Sequence, residues 1–131
     1  MVLFGQKGGV KIGIFTIKTV RSGIKFNLLA RNGETIAVSE VYTSHNACLK
    51  GIQSVRKCAP DAPVEDLTLP APKEKCPKFE LYADKRGYFR FRLKAANGKI
   101  IAVSEGYTTK AACLSGIESV RLNAPTAELV E

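Results

Sequence analysis

Apolar positions change period once between residues 13 and 60, and the same change recurs between residues 78 and 125. "GIFTIKT", "FNLLA" and "TIAVS" read as strands; then Cys48, Ile52, Val55 and Ala59 fall three to four residues apart, as one helical stripe does. In the later stretch "FELYA", "FRFRLKA" and "KIIAVS" precede Cys113, Ile117, Val120 and Ala124 at the same spacing. Each series predicts three strands followed by a helix. Thr43/Ser44 and Thr108/Thr109 supply hydroxyls to cap the helices. The helices run to about Lys57 and Leu122, and Pro60 and Pro125 stop them.

The two series are one unit written twice. "RNGETIAVSEVYTSHNACLKGIQSVRKCAP" (31–60) returns as "ANGKIIAVSEGYTTKAACLSGIESVRLNAP" (96–125), and from Asn32 to Pro60 19 of 29 positions are identical at an offset of 65. Between the copies, "PDAPVEDLTLPAPKEKCPK" holds five of the six prolines, a density that excludes a helix interior and marks a connector. A unit of ~55 residues buries too little surface to be comfortable alone. Two copies sharing one sheet and one core therefore predict a single pseudo-symmetric α+β domain. Its parts are an N-terminal arm (1–12), a first repeat (13–68), a Pro-rich linker (69–77) and a second repeat (78–131).

Asn32-Gly33 and Asn97-Gly98 predict two-residue type I′ hairpin turns. Such a turn would fix register. It sets Ala30, Leu28 and Phe26 opposite Thr35, Ala37 and Ser39 on one face, with Lys25 facing Glu40 on the other. In the second copy Arg90 would meet Glu105, Arg92 would meet Val103 and Lys94 would meet Ile101. Small residues at Ala37, Ser39, Ala102 and Ser104 leave room for a helix, and Gly51 and Gly116 are expected to serve the same approach.

The pattern N-G…I-A-x-S-E-x-Y…G-I-x-S-V occurs twice: Asn32, Gly33, Ser39, Glu40, Tyr42, Gly51 and Ile52 recur as Asn97, Gly98, Ser104, Glu105, Tyr107, Gly116 and Ile117. It resembles the repeat of the YegP-like proteins, a bacterial and archaeal family of unknown function. The first copy departs from that pattern at Val41 and His45, where the second has Gly106 and Lys110. The resemblance implies one antiparallel sheet with two helices on one face. It also implies that the last strand of each unit, near Val64–Leu67 and Ala127–Val130, crosses to the other unit. Single-unit members of that family pair as homodimers. The resemblance implies no particular activity.

Composition narrows the function classes modestly. The net charge is +8, and hydrophobic residues make up 45% of the chain, enough for a real core. No apolar run approaches the ~18–20 residues of a membrane helix and the start does not read as a signal peptide, so a cytoplasmic protein without a membrane partner is expected. "GQKGGVKIG" begins like a phosphate loop but lacks the further glycine and the Lys-Ser/Thr pair, and it precedes a strand pattern. It reads as a basic arm. The four cysteines form no C-x-x-C, and Cys48 and Cys113 lie on the apolar stripe, so neither a metal nor a cofactor is expected. His45 and Cys48 have no orienting acid, and Glu40 and Glu105 are assigned basic neighbours, which leaves no catalytic constellation.

What remains is the open sheet face. Arg90, Arg92 and Lys94, with Lys25 in the first copy and Tyr82 and Tyr88 beside the row, suit an anionic ligand or nucleic acid. Leu29, Ile36, Val38, Ile101 and Val103 on the same face suggest a protein partner or self-association. The expectation is a non-enzymatic binding or interaction module, with polyanion binding through the basic face as the alternative and an enzyme of unknown class as the third.

Overall fold

The structure, a computed structural model, describes residues 6–7 and 10–131. Gln6–Lys7 (β1) and Val10–Lys11 (β2) pair antiparallel. Residues 1–5 of the expected arm and the Gly8-Gly9 of the loop-like motif lie outside the described residues.

The first repeat forms β3 (Ile14–Val20), β4 (Gly23–Leu29), β5 (Thr35–Val38), α1 (His45–Cys58) and β6 (Val64–Asp66). The second forms β7 (Lys78–Ala83), β8 (Phe89–Lys94), β9 (Ile100–Val103), α2 (Lys110–Asn123) and β10 (Glu128–Val130). The helices start where hydroxyls allow. Ser44 Oγ accepts from Ala47 N–H and Thr109 Oγ1 from Ala112 N–H, each at 3.1 Å.

All strands from β3 onward enter one sheet, in the order β10-β3-β4-β5-β9-β8-β7-β6. The sheet is continuous through the β5–β9 pair, where Val38 meets Val103. Strand exchange is present. β6 leaves the first repeat to pair with β7, and β10 leaves the second to pair with β3. The six inner strands are antiparallel, but both outer pairs are parallel. Parallel neighbours need a long return path rather than a hairpin, and the Pro-rich stretch provides it between β6 and β7.

One face of this sheet carries the core. Phe15, Phe26, Leu28, Phe79, Leu81, Phe91 and Leu93 are fully buried beneath the helical stripe of Cys48, Ile52, Val55, Cys113, Ile117 and Val120. Each large apolar side chain so buried contributes about 1.5–3 kcal/mol relative to exposure. α1 packs on β4 and also on β9 of the other repeat, while α2 packs on β8 and on β5. Arg56 lies over the Phe15 ring (5.0 Å) and donates to Ala124 O at 3.2 Å; Arg121 lies over Phe79 (5.5 Å) and donates to Ala62 O. Helix, first strand and the end of the other repeat are thus tied at both places.

The hairpins correct the expected turn. Gly33 N–H donates to Ala30 O and Ala30 N–H to Glu34 O, so three residues rather than two make the loop. Only Gly33 has positive φ (+86°), whereas a type I′ turn would require it of Asn32 as well. Asn32 Oδ1 instead accepts from Glu34 N–H at 3.0 Å. A bulge then follows, because Leu29 pairs with Thr35 and Leu28 with Ala37, leaving Ile36 unpaired. The second hairpin repeats this, with Lys94 opposite Ile100 instead of the expected Ile101. The extra residue turns Ile36 and Ile101 into the core at 8% and 6% exposure, so neither belongs to the open face. Past the bulge the expected register is found, as Ser39 N–H donates to Phe26 O and Arg92 pairs with Val103.

Candidate functional site on the open sheet face

The repeat signature itself is structural. Ser39 Oγ accepts from Phe26 N–H at 2.9 Å and donates to Glu40 O at 2.7 Å; Ser104 does the same for Phe91 and Glu105. The Tyr42 ring stacks on Phe26 and Tyr107 on Phe91, both at 6.3 Å. Gly51 and Gly116 make room first for those tyrosines and also for the strand rings of Phe26 and Phe91, 3.2 and 3.0 Å from where a Cβ would lie. A Cβ on either would fall 2.2 or 2.3 Å from the tyrosine Oη. Cys48 and Cys113 are wholly buried, and burial pushes both thiols up, Cys113 to about 11. His45 pairs with Glu131 rather than with Cys48. Among the described residues no cluster of three His, Cys, Asp or Glu side chains could hold a metal ion.

The open face carries one cross-strand row over all eight strands: Val130, Thr16, Asn27, Val38, Val103, Arg92, Glu80 and Glu65. Its first-repeat half is neutral and its second-repeat half is charged. Glu80 lies at the centre of the charged half, 2.6 Å from Arg92 Nε, 3.2 Å from Lys78 Nζ and 3.3 Å from Lys94 Nζ. Lys78 Nζ also meets Glu65 Oε1 at 2.7 Å. Burial opposes ionisation of Glu80, but hydrogen bonds from Arg92, Lys78 and Lys94 outweigh it and hold the carboxyl below its usual value. The Lys78 hydrogen bond does the same for Glu65. Arg92 and Lys94 are therefore engaged by a carboxylate, and Arg92 also lies over the Tyr82 ring at 4.6 Å.

Lys25 is placed differently. It sits directly opposite Lys18, and the expected pair with Glu40 does not form. Arg90 likewise takes Asp84 instead of Glu105, with Nε 2.8 Å from Asp84 Oδ2 and Nη1 3.4 Å from Ser104 O. Asp84 builds the adjoining turn. Its Oδ1 accepts from Arg86 and Tyr88 N–H, at 2.9 and 3.0 Å, and Gly87 takes positive φ (+87°). The Arg90 hydrogen bond holds the Asp84 carboxyl low.

Between that turn and Gly106 lies a groove of about 590 Å³, lined by Tyr82, Asp84, Lys85, Arg86, Tyr88, Arg90 and Gly106. Three cations face it against one carboxylate, and that carboxylate is already committed to Arg90 and the turn amides. Neither Lys85 nor Arg86 has an ion-pair partner among the described residues. The groove brings Arg90 together with both tyrosines and leaves out Lys25, Arg92 and Lys94. Asp84, Lys85, Arg86 and Gly106 were not singled out for this face by sequence reasoning. The Asp-x-x-Gly turn in "DKRGYFR" and the Val41/Gly106 departure were the available signals.

The model of the DUF1508 domain of unknown function matches residues 23–66 and 84–131, both repeats. This chain belongs to the DUF1508 family. A UPF0339 protein from the ptx operon 5′ region of Stutzerimonas stutzeri is 36% identical over 91% of this chain and 96% of its own length. A UPF0339 protein of Treponema denticola is 68% identical over 54 residues, covering 41% of this chain and 93% of that protein. The solution structure of YegP of Escherichia coli, a protein of unknown function, superimposes with a TM-score of 0.77 at 34% identity. It covers 93% of this chain and 94% of its own. The YegP-like resemblance and the two-helix α+β sheet are thereby shown, and the family's function is unknown. No helix among the described residues is long and apolar enough to cross a membrane.

Proposed function

We propose that this protein is a non-enzymatic binding module that takes an anionic ligand on the second-repeat half of its open sheet face. The observation carrying this reading is the groove at Arg90, where two tyrosines and three cations converge and the one carboxylate is internally satisfied. Cations with interleaved aromatic rings suit a ligand that offers both negative charge and a flat surface. No cysteine lines the groove, and Cys48 and Cys113 are buried in the core.

Association with a protein or a second copy has less support. With Ile36 and Ile101 in the core, only Leu29, Val38 and Val103 of the apolar set remain on the open face, all half-buried.

Anisotropy of labelled heparin and of a labelled single-stranded oligonucleotide tests the reading. Affinity should fall steeply as salt rises and should be lost in an Arg86→Glu/Arg90→Glu variant. Absence of salt-sensitive binding of either probe at micromolar protein would remove it.

A further inference from the structure

The groove exists because two residues of unequal size have changed places between the repeats. In the second repeat Gly106 faces Tyr88, and a Cβ on Gly106 would come within 2.9 Å of Tyr88 Cβ and 3.6 Å of Arg90 Nη2. At the positions 65 residues earlier, Val41 faces Gly23. There a Cβ on Gly23 would come within 2.7 Å of Val41 Cγ1 and 2.3 Å of Tyr42 O. Each pair contains one bulky residue and one glycine, but the bulk lies on opposite sides. In the first repeat the valine occupies the space above residue 23. In the second, glycine leaves the space beside Arg90 open and Tyr88 becomes its wall.

We propose that this exchange creates one nucleoside-phosphate site per chain, in the groove between Tyr82, Tyr88 and Arg90. The inference rests on the anionic-ligand reading above and narrows it. A base needs an aromatic surface, which the tyrosines supply. A phosphate needs a fixed guanidinium, and Arg90 is held from behind by Asp84 and the Ser104 carbonyl while its Nη2 points toward Gly106. Lys85 and Arg86, at the tip of the Asp84 turn, add charge at the rim. The volume of about 590 Å³ falls in the range of small-ligand sites. A polyanion without bases would use the cations and leave Tyr88 idle, as well as the face of Tyr82 that Arg92 does not cover. The same base and phosphate can belong to a free nucleotide or to the 5′ end of a nucleic acid strand.

Amide NMR of the full ¹⁵N-labelled chain tests the site, because the first repeat is its internal control. The probes are adenosine 5′-monophosphate, adenosine, inorganic phosphate, a 5′-phosphorylated oligoadenylate and heparin. The monophosphate should shift Tyr82, Tyr88, Arg90 and Gly106 and spare Lys18, Gly23, Lys25 and Val41. It should bind about tenfold more tightly than adenosine or phosphate alone, the size of one stacking or charge contact. Tighter binding of the oligoadenylate at the same residues assigns the ligand to a strand end; equal binding assigns it to the free nucleotide. The Tyr88→Gly/Gly106→Val variant carries the pair that the first repeat already accommodates. It should keep its helix resonances and lose about tenfold in affinity. Unchanged affinity in that variant, or heparin binding without a response to the monophosphate, would overturn this inference and leave the anionic reading standing. Silence toward all five probes would overturn both.

Discussion

Lys110 Nζ lies 2.9 Å from Asp66 Oδ2 and donates to Thr68 Oγ1 at 2.7 Å, joining the first residue of α2 to the end of a strand that belongs to the other repeat. The equivalent residues, His45 at the start of α1 and Glu131 just beyond β10, are paired in turn. Each exchanged strand is therefore fastened to the helix of the repeat that receives it. Asp66→Lys should lower stability by about 1 kcal/mol, as expected for a partly exposed pair. Asp66→Lys/Lys110→Asp should recover part of that loss in urea denaturation.

Acid should unfold the protein through its carboxylate network. Glu65, Asp66, Glu80 and Asp84 are all held below their usual values in the fold. Groups depressed in this way stabilise the fold above the ordinary carboxylate range and stop doing so as pH falls through their lowered values. Stability should thus be level near neutrality and fall from about pH 5 downward. Lys78→Met should move that fall to higher pH, because Glu65 and Glu80 are directly opposite and would lose the cation between them. Circular dichroism during acid titration of both proteins measures the difference.

The four thiols should divide into two classes. Cys48 and Cys113 are fully buried with raised thiols, whereas Cys58 and Cys76 are half-buried. Iodoacetamide followed by mass spectrometry should label Cys58 and Cys76 in the native protein. Cys48 and Cys113 should react only in denaturant.

Ser104→Ala should cost about 1–3 kcal/mol, because the buried Phe91 amide loses its acceptor. Ser39→Ala should cost a similar amount through Phe26. The two sites belong to different repeats, so the losses should add in the double variant.

The helical stripe and the core strands are legible in the sequence because burial follows a period of 3.6 or 2 along the chain. Cys48, Ile52, Val55 and Ala59 are all wholly or almost wholly buried, and so are their four counterparts. The hairpin loop is one residue longer than its Asn-Gly pair predicts. Asn-Gly favours a tight turn, but here Gly33 alone takes positive φ, and a bulge at Ile36 restores the register that the extra loop residue would have shifted. The tyrosine role of Gly51 was also hidden, since the ring it admits comes from outside the helix.

The chain by itself determined the two repeats, their elements and the residues that fill the core, because these depend on near neighbours and on periodicity. Tertiary structure decided which charges remain for a ligand. Arg90, Arg92 and Lys94 look alike along β8, yet strand order sets Arg92 and Lys94 beside Glu80 outside the groove, whereas Arg90, paired with Asp84, lines it together with Lys85 and Arg86, which are unpaired among the described residues. It also decided that the space beside Arg90 is open. That depends on whether glycine or valine faces residue 88 or 23 across adjacent chain segments, a matter of distances that no local pattern contains.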